Sequence, residues 1–353
     1  MEFTLSDERR MLQDSLRGTL ARAGAGPELW AALTEMGAAG AVLPEQAGGF
    51  GGAGADIALV AEEIGRAGAV VPLIDSVILG AGVLAAAGGQ DALVSDLAEG
   101  RATCALADLE PGARYSGRVA CTARGDGGQV RLHGAKTLVV GGDCADWLLA
   151  TARGADDEVA LYLVAADAPG VTRRPFEMMA GGQGADVALG GASAQRLGPL
   201  SLLERPRAAA VLALCADAVG AMERVIEMTA EYLRTRRQFG QPIGKFQVLA
   251  HRMADLVIEV EQARAAVANL ADALDGPGRE IALSAAKVTV GEAARLLSEE
   301  AIQMHGGIGM TQEYGLRPLV RRLLAADARF GDADFHLERF AALTRPEAMS
   351  SPT

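Results

Sequence analysis

Apolar residues recur every three or four positions over 28–36, 56–65 and 73–87, the spacing that lines one face of an α-helix. Between the first two stretches, Leu43-Pro44-Glu45-Gln46-Ala47-Gly48-Gly49-Phe50-Gly51-Gly52 must turn sharply, because Pro and Gly interrupt the pattern. After Gly100 the period changes. Residues 103–109, 119–123, 130–133, 137–140, 147–151 and 159–165 are short apolar or alternating runs between Gly/Asp turns, which predicts strands of a small all-β domain ending near Pro199. Helical spacing then returns over longer spans, 206–234, 248–274, 279–304 and 317–343, with Asp275-Gly276-Pro277-Gly278 as the clearest break. Val248, Met253, Leu256, Val260, Val267 and Leu270 mark one apolar stripe. Four such helices with short links predict a four-helix bundle. The expected class is α+β: an N-terminal α-helical domain over 1–100, a middle β-barrel or sandwich domain over 101–203, and a C-terminal bundle over 204–353.

Composition narrows the function classes. A length of 353 residues allows two or three domains, and 50% hydrophobic residues with 44 Gly and only 4% aromatics imply a large Ala/Gly/Leu core. The formal charge of -12 argues against a nucleic-acid or anionic-membrane surface. The most apolar stretch, 69–89, contains Pro72 and Asp75 and reads as a buried helix rather than a membrane span. Met1-Glu2-Phe3-Thr4 opens without the basic start and apolar core of a secretion signal, so a cytoplasmic location is expected. Cys104, Cys121, Cys144 and Cys215 have no C-x-x-C spacing, and His133, His251, His305 and His336 are scattered, so neither a disulfide framework nor a metal site is expected.

The candidate chemistry lies between Arg234 and Arg339. Arg236 offers a rigid fork of donors suited to a pyrophosphate. Gly306-Gly307 lets backbone amides approach a ligand with no Cβ between them, and Gln238 and Gln247 add side-chain donors. Taken singly, Arg236 is a solvated helix-end charge and Gly306-Gly307 a helix C-cap. Taken as an ordered set, they describe an anion and ring site.

That set, Arg236-Arg237-Gln238-Phe239-Gly240-Gln241-Pro242-Ile243, then Gln247, then Gln303-Met304-His305-Gly306-Gly307-Ile308-Gly309, resembles the acyl-CoA dehydrogenase family patterns R-x-x-F-G-x-P-I and Q-x-x-G-G-x-G. The loop from Pro44 is similar to the family's P-E-x-x-G-G-x-G turn, and the α, β, α order matches its fold, so the resemblance covers nearly the whole chain. It implies FAD bound at a dimer interface. The middle domain and C-terminal helices of one protomer would hold the flavin ring, and Arg236, Gln238, Phe239, Gln247, Gln303, Gly306 and Gly307 of its neighbour would hold the pyrophosphate and adenosine half.

Against the family's T-E-P-x-x-G-S-D ring motif stands Leu109-Glu110-Pro111-Gly112-Ala113-Arg114-Tyr115-Ser116, which keeps only Glu-Pro. Against W-I-T-N-G stands Leu138-Val139-Val140-Gly141-Gly142, without the Trp or the Thr. Dehydrogenating an acyl thioester also needs a carboxylate to take the α-proton. A gapless register from Gly306-Gly307 puts Phe330 at the family's E-G-T Glu, and this is the preferred register. Counting back from Arg339 puts Asp332 there instead, with His336 one turn on and expected to face the same way. An alternative place at the start of the first bundle helix gives Ala210, with Glu204 nearby.

Three functions follow from the resemblance. The leading one is a subunit that acts on an acyl-CoA substrate in a hetero-oligomer, lending its half of the FAD site to another dehydrogenase subunit. It resembles the smaller, degenerate members of the paired dehydrogenases of bacterial steroid side-chain degradation. The others are a homo-oligomeric flavoenzyme using Asp332 as base, either an acyl-CoA dehydrogenase or a nitroalkane-oxidase-like relative, and a flavin-free scaffold. For the enzymes, an electron-acceptor flavoprotein is an expected partner.

Overall fold

The structure is a computed structural model that describes residues 5–126, 129–311 and 313–345. Helices α1 (Asp7–Arg22), α2 (Pro27–Glu35), α3 (Ala38–Ala41) and α4 (Gly54–Ala67) come first. A π-helical segment, Leu73–Ala81, then runs into α5 (Gly82–Ala87), followed by α6 (Asp91–Ala98). Ser6 caps α1 by accepting from the Arg9 amide. The 43–52 turn folds back on itself so tightly that a Cβ on Gly49 would lie 2.0 Å from the Leu43 carbonyl oxygen.

The strands are β1 (Cys104–Ala107), β2 (Thr122–Asp126), β3 (Gln129–Val140), β4 (Trp147–Arg153), β5 (Val159–Ala165), β6 (Val171–Glu177) and β7 (Gln183–Pro199). Pairings β4–β5, β5–β7, β7–β3, β3–β2 and β2–β4 form a closed circuit, with β1 beside β4 and β6 beside β7. Leu132, Leu148, Tyr162, Val164, Val187 and Leu189 fill its interior. The two runs expected over 130–133 and 137–140 are one strand, β3, interrupted by a register shift between Lys136 and Val139. The run expected over 119–123 begins later, at Thr122. β6 and β7 carry no apolar alternation that would have announced them: β6 is Val-Thr-Arg-Arg-Pro-Phe-Glu and β7 is dominated by Gly, Ala and Ser.

The C-terminal helices are α7 (Glu204–Thr235), α8 (Gln247–Ala273), α9 (Arg279–His305), α10 (Leu316–Ala328) and α11 (Ala333–Thr344), with a small hairpin, β8 (Arg237–Gln238) and β9 (Gln241–Pro242), between α7 and α8. The single helix expected over 317–343 is two helices. Phe330 and Gly331 take positive φ, 61° and 108°, and Asp332 then starts α11 by accepting from the Phe335 amide at 3.0 Å. The core is shared between the first and last helical blocks. α4 crosses α7 at near backbone contact: a Cβ on Gly65 would lie 1.9 Å from the Asp217 oxygen, and one on Gly220 1.9 Å from the Glu62 oxygen.

Candidate functional site

Three of the expected binding residues sit on the hairpin after α7. The Arg236 amide donates to the Tyr232 carbonyl at 2.8 Å, its carbonyl accepts from the Ile243 amide at 2.9 Å, and Gln238 pairs with Gln241. The two residues between the strands, Phe239 and Gly240, both have positive φ, 51° and 80°, the signature of a type I′ turn, which favours Asn-Gly. A Phe held in that region costs about 1–3 kcal/mol and calls for an external reason. Its ring is 89% exposed and touches Phe246 edge-on at 5.9 Å. Among the described residues the Arg236 guanidinium has no ion-pair or hydrogen-bond partner, and neither do the side-chain amides of Gln238, Gln247 and Gln303.

The other expected binding residues lie at the end of α9. Gly306 ends that helix with φ 62°, its amide reaching the Gln303 and Ile302 carbonyls, so the C-cap reading holds for it. Gly307 differs. It has no positive φ, and a Cβ there would meet nothing within 4 Å, so neither conformation nor internal packing requires glycine. The bare backbone there is open to close approach. His305 joins the two ends: its ring stacks on Tyr232 at 4.6 Å. Nδ1 faces the Ala301 carbonyl at 2.8 Å and so must donate, leaving Nε2 to accept from the Tyr314 hydroxyl at 3.2 Å. Burial holds this imidazole below its ordinary pKa. His305, Tyr232 and Tyr314 were not anticipated as parts of the site; the position of His305 inside Gln303-Met304-His305-Gly306-Gly307 was the available signal.

The middle domain presents a different surface. Glu110 has a structural role. Buried Glu110 accepts from Lys136 Nζ at 2.8 Å and from the Ala120 and Cys121 amides at 2.6 and 2.9 Å. Burial alone would raise this carboxyl, and those three donors outweigh it and hold the pKa below the ordinary value. Beyond it, Arg114 bonds Asp332 at 2.6 Å and lies 4.9 Å from the Tyr115 ring. Tyr115 donates to the Ala328 carbonyl at 2.8 Å and meets the Phe335 ring at 5.3 Å.

The turn between α10 and α11 is held from every side. Lys287, buried in α9, donates to the carbonyls of Ala326, Asp327 and Arg329 at 2.8–3.0 Å; nothing in the sequence marked it. His336 is buried and points inward to the Phe330 carbonyl at 3.0 Å and Ser284 at 3.4 Å, so it does not face the same way as Asp332. Asp332 has one oxygen on the Phe335 amide and the other on Arg114, a carboxylate engaged in capping and an ion pair. Glu204 begins α7, where its carboxylate lies 3.7 Å from Arg279, and Ala210 is buried in the same helix.

An unpartnered guanidinium, side-chain amides and Cβ-free backbone amides suit an anionic pyrophosphate, so the half carried by Arg236, Gln238, Phe239, Gln247, Gln303, Gly306 and Gly307 fits FAD. The ring half does not. Leu138 and Val140 offer no side-chain donor, and Arg114 and Tyr115 are engaged with α10 and α11. Among the described residues no cluster of His, Cys, Asp and Glu is arranged for a metal ion, and no helix is long and apolar enough to cross a membrane.

Comparison with known proteins agrees with this geometry. Residues 6–93 match the acyl-CoA dehydrogenase N-terminal domain and 209–343 the acyl-CoA dehydrogenase C-terminal domain. The chain is 32% identical over 336 residues to acyl-CoA dehydrogenase IpdE2 of Mycobacterium tuberculosis, covering 91% of this chain and 92% of that one. It is also 32% identical over 315 residues to acyl-CoA dehydrogenase FadE27 of the same organism, covering 85% and 82%. Among solved structures it superposes on a chain of the Mycobacterium tuberculosis ChsE4-ChsE5 complex with TM-score 0.90 and 27% identity, over 98% of this chain and 100% of that one. A chain of the Tcur3481-Tcur3483 steroid ACAD gives TM-score 0.88 and 29% identity, over 96% and 98%. In sequence and in fold, the chain belongs to the acyl-CoA dehydrogenase family.

Proposed function

We propose that this chain is the flavin-completing subunit of a heteromeric, FAD-dependent acyl-CoA dehydrogenase. In this reading Arg236, Gln238, Phe239, Gln247, Gln303, Gly306 and Gly307 bind the pyrophosphate and adenosine half of a flavin whose ring is held by an unlike subunit. The observation that carries the proposal is the contrast between its two half-sites. Arg236 and Gly307 are presented with nothing of this chain against them, whereas Arg114 and Tyr115 are already bonded to α10 and α11. A flavin-free scaffold has no use for the first half.

When bound, FAD supplies the hydride acceptor for α,β-dehydrogenation of an acyl-CoA thioester. This chain's contribution is to bind and orient. Arg236 neutralises phosphate charge, the Gly307 amide and the side-chain-free backbone at Gly306 let the same anion come close, and Phe239 offers an aromatic face. The α-proton is taken by the partner, because Asp332 here is a helix cap paired with Arg114 and Phe330 occupies the gapless position of the base. The likeness to the Tcur3481-Tcur3483 steroid ACAD supports a steroid-type acyl thioester as substrate, and the likeness to a chain of the ChsE4-ChsE5 complex supports an unlike partner subunit; the electrons leave to an acceptor flavoprotein in this reading. In this reading the chain divides into working domains at 100/101 and 203/204.

The test is purification of this chain alone and co-expressed with a neighbouring dehydrogenase subunit, with flavin absorbance recorded for each. The chain alone should be nearly colourless, and the unlike pair should hold about one FAD, bound by mass action. Arg236→Ala removes charge-assisted contacts worth about 1.5–3 kcal/mol each, so flavin affinity of the pair should fall by about 10- to 150-fold. A yellow homo-oligomer of this chain alone, with tightly held FAD on each protomer and acyl-CoA turnover, would overturn the proposal in favour of the self-sufficient enzyme.

A further inference from the structure

Five non-glycine residues among those described have positive φ: Arg114 (40°), Leu138 (53°), Asp157 (67°), Phe239 (51°) and Phe330 (61°). Such residues are sparse in folded proteins and gather where function once fixed or still fixes the backbone. Phe239 is the tip of the phosphate-side hairpin. Three of the others fall one on each ring-side element: Arg114 at the Gly of T-E-P-x-x-G-S-D, Leu138 at the Trp of W-I-T-N-G, and Phe330 at the Glu of E-G-T. At Arg114 the reason is direct, since an arginine holds the left-handed conformation that glycine adopts freely. The backbone there has kept a glycine's shape while the side chain has changed.

From this we infer that Arg114 and Tyr115, braced on the α10–α11 turn, close this chain's own flavin-ring cleft with side chains laid over a backbone that still has the shape of a ring site. The inference rests on the proposed function and adds which residues decide where the ring sits. The brace is rigid. Arg114 meets Asp332 at 2.6 Å, and Tyr115 meets Ala328 at 2.8 Å and Phe335 at 5.3 Å. The far side of the closure cannot yield, because Lys287 fixes three carbonyls of the same turn and His336 a fourth. At Gly331 even a Cβ would fall 2.4 Å from the Phe335 ring and 2.7 Å from His336 Nε2. Leu138, by contrast, is 53% exposed, so a larger ring can be accommodated at its position. Exclusion of flavin therefore rests on two side chains that can be removed and two donors that can be restored.

The experiment is to build Arg114→Gly/Tyr115→Ser and the fourfold variant that adds Leu138→Trp and Val140→Thr, purify each alone and with the unlike subunit, and measure bound FAD by absorbance after gel filtration. Circular dichroism and the melting temperature report folding. Arg114→Gly relieves the left-handed strain, so the twofold variant is expected to fold. The fourfold variant alone should go from nearly no flavin to about one per protomer, and the pair from about one FAD to about two, filled by mass action. A folded fourfold variant with no more flavin than the wild-type chain overturns the closure. If the fourfold variant does not assemble, the twofold variant in the pair decides: bound FAD above the wild-type ratio supports closure, and an unchanged ratio overturns it. The two ideas fail separately. Wild-type protein that is yellow by itself refutes the division of labour between unlike subunits. Variants that gain nothing while the wild-type pair stays yellow refute only the closure.

Discussion

His336 and Lys287 carry ionisable groups into the same seam under the α10–α11 turn and meet the cost of burial in opposite ways. Lys287 is pushed below its ordinary pKa by burial but spends all three ammonium donors on carbonyls. His336 stays neutral. Nε2 donates to Phe330 and Nδ1 accepts from Ser284, and burial, with Lys287 and Arg339 nearby, lowers its pKa to about 4. The folded value lies below the unfolded one, so as pH falls the unfolded chain takes up the proton first. The stabilisation is therefore complete above an ordinary histidine pKa of about 6.5. It is lost between there and the folded value of about 4. At about 1.4 kcal/mol per pH unit, roughly 2 kcal/mol should be gone by pH 5. Urea midpoints measured from pH 7 to 5 should fall in the wild type and fall less in His336→Gln. Parallel curves would refute the assignment. Little of this was legible in the sequence, where His336, four residues after Asp332, was expected to face the same way as that carboxylate. A helix register places a side chain only if the helix is known, and here the helix begins at Ala333.

At the level of elements, legibility followed periodicity. The long helices α7, α8 and α9 were read almost to their ends because an apolar stripe of several turns leaves little choice. α10 and α11 were fused because their apolar spacing runs through the break. The cue was local: Gly331 followed by Asp332 is a helix stop followed by an N-cap. β6 and β7 were missed because neither alternates: polar and charged residues fill most of β6, and Gly and Ala fill much of β7. The crossing of α4 on α7 shows the same limit, since nothing in the sequence marks Gly65 and Gly220 as contact positions. Alanine is worth about 1 kcal/mol more than glycine in a helix interior, which predicts stabilisation. Geometry predicts the reverse. A Cβ on Gly220 would stand 1.9 Å from the Glu62 oxygen and 2.8 Å from the Arg66 amide, both backbone, so the helices must move apart, and overpacking of that kind costs about 1–3 kcal/mol or more. Gly220→Ala should therefore lower the urea midpoint, whereas Gly24→Ala, in the loop between α1 and α2 where a Cβ meets nothing within 4 Å, should not. A Gly220→Ala protein as stable as the wild type would mean that the two helices are not in backbone contact.

For the whole molecule, the half-sites differ in what made them legible. On the proposed reading, Arg236, Gln238, Phe239, Gln247 and the Gly306-Gly307 pair could be singled out because a fixed order of residue types over a long span is specific. The ring side was recognisable only by what had been lost, and the reason for the loss needed three dimensions: Arg114 is 218 positions from the Asp332 it binds. This asymmetry makes a last prediction about stability. A ligand that binds only the folded assembly stabilises it by an amount that grows with free ligand, about 2.7 kcal/mol at a hundredfold excess over Kd. If Arg236 and the Gly306-Gly307 backbone act only on a flavin whose ring is held by an unlike subunit, free FAD should leave the melting temperature of this chain alone unchanged within error. The same concentration should raise that of the unlike pair by several degrees. Arg236→Ala in the pair should shift the FAD concentration needed for half of that rise upward by about the 10- to 150-fold expected from the lost contacts, while the melting temperature without FAD stays the same, because the Arg236 side chain is exposed and bonds no other described residue. Melting curves of chain and pair against FAD concentration make the measurement, and a chain that FAD stabilises by itself as strongly as it does the pair would contradict the half-site reading.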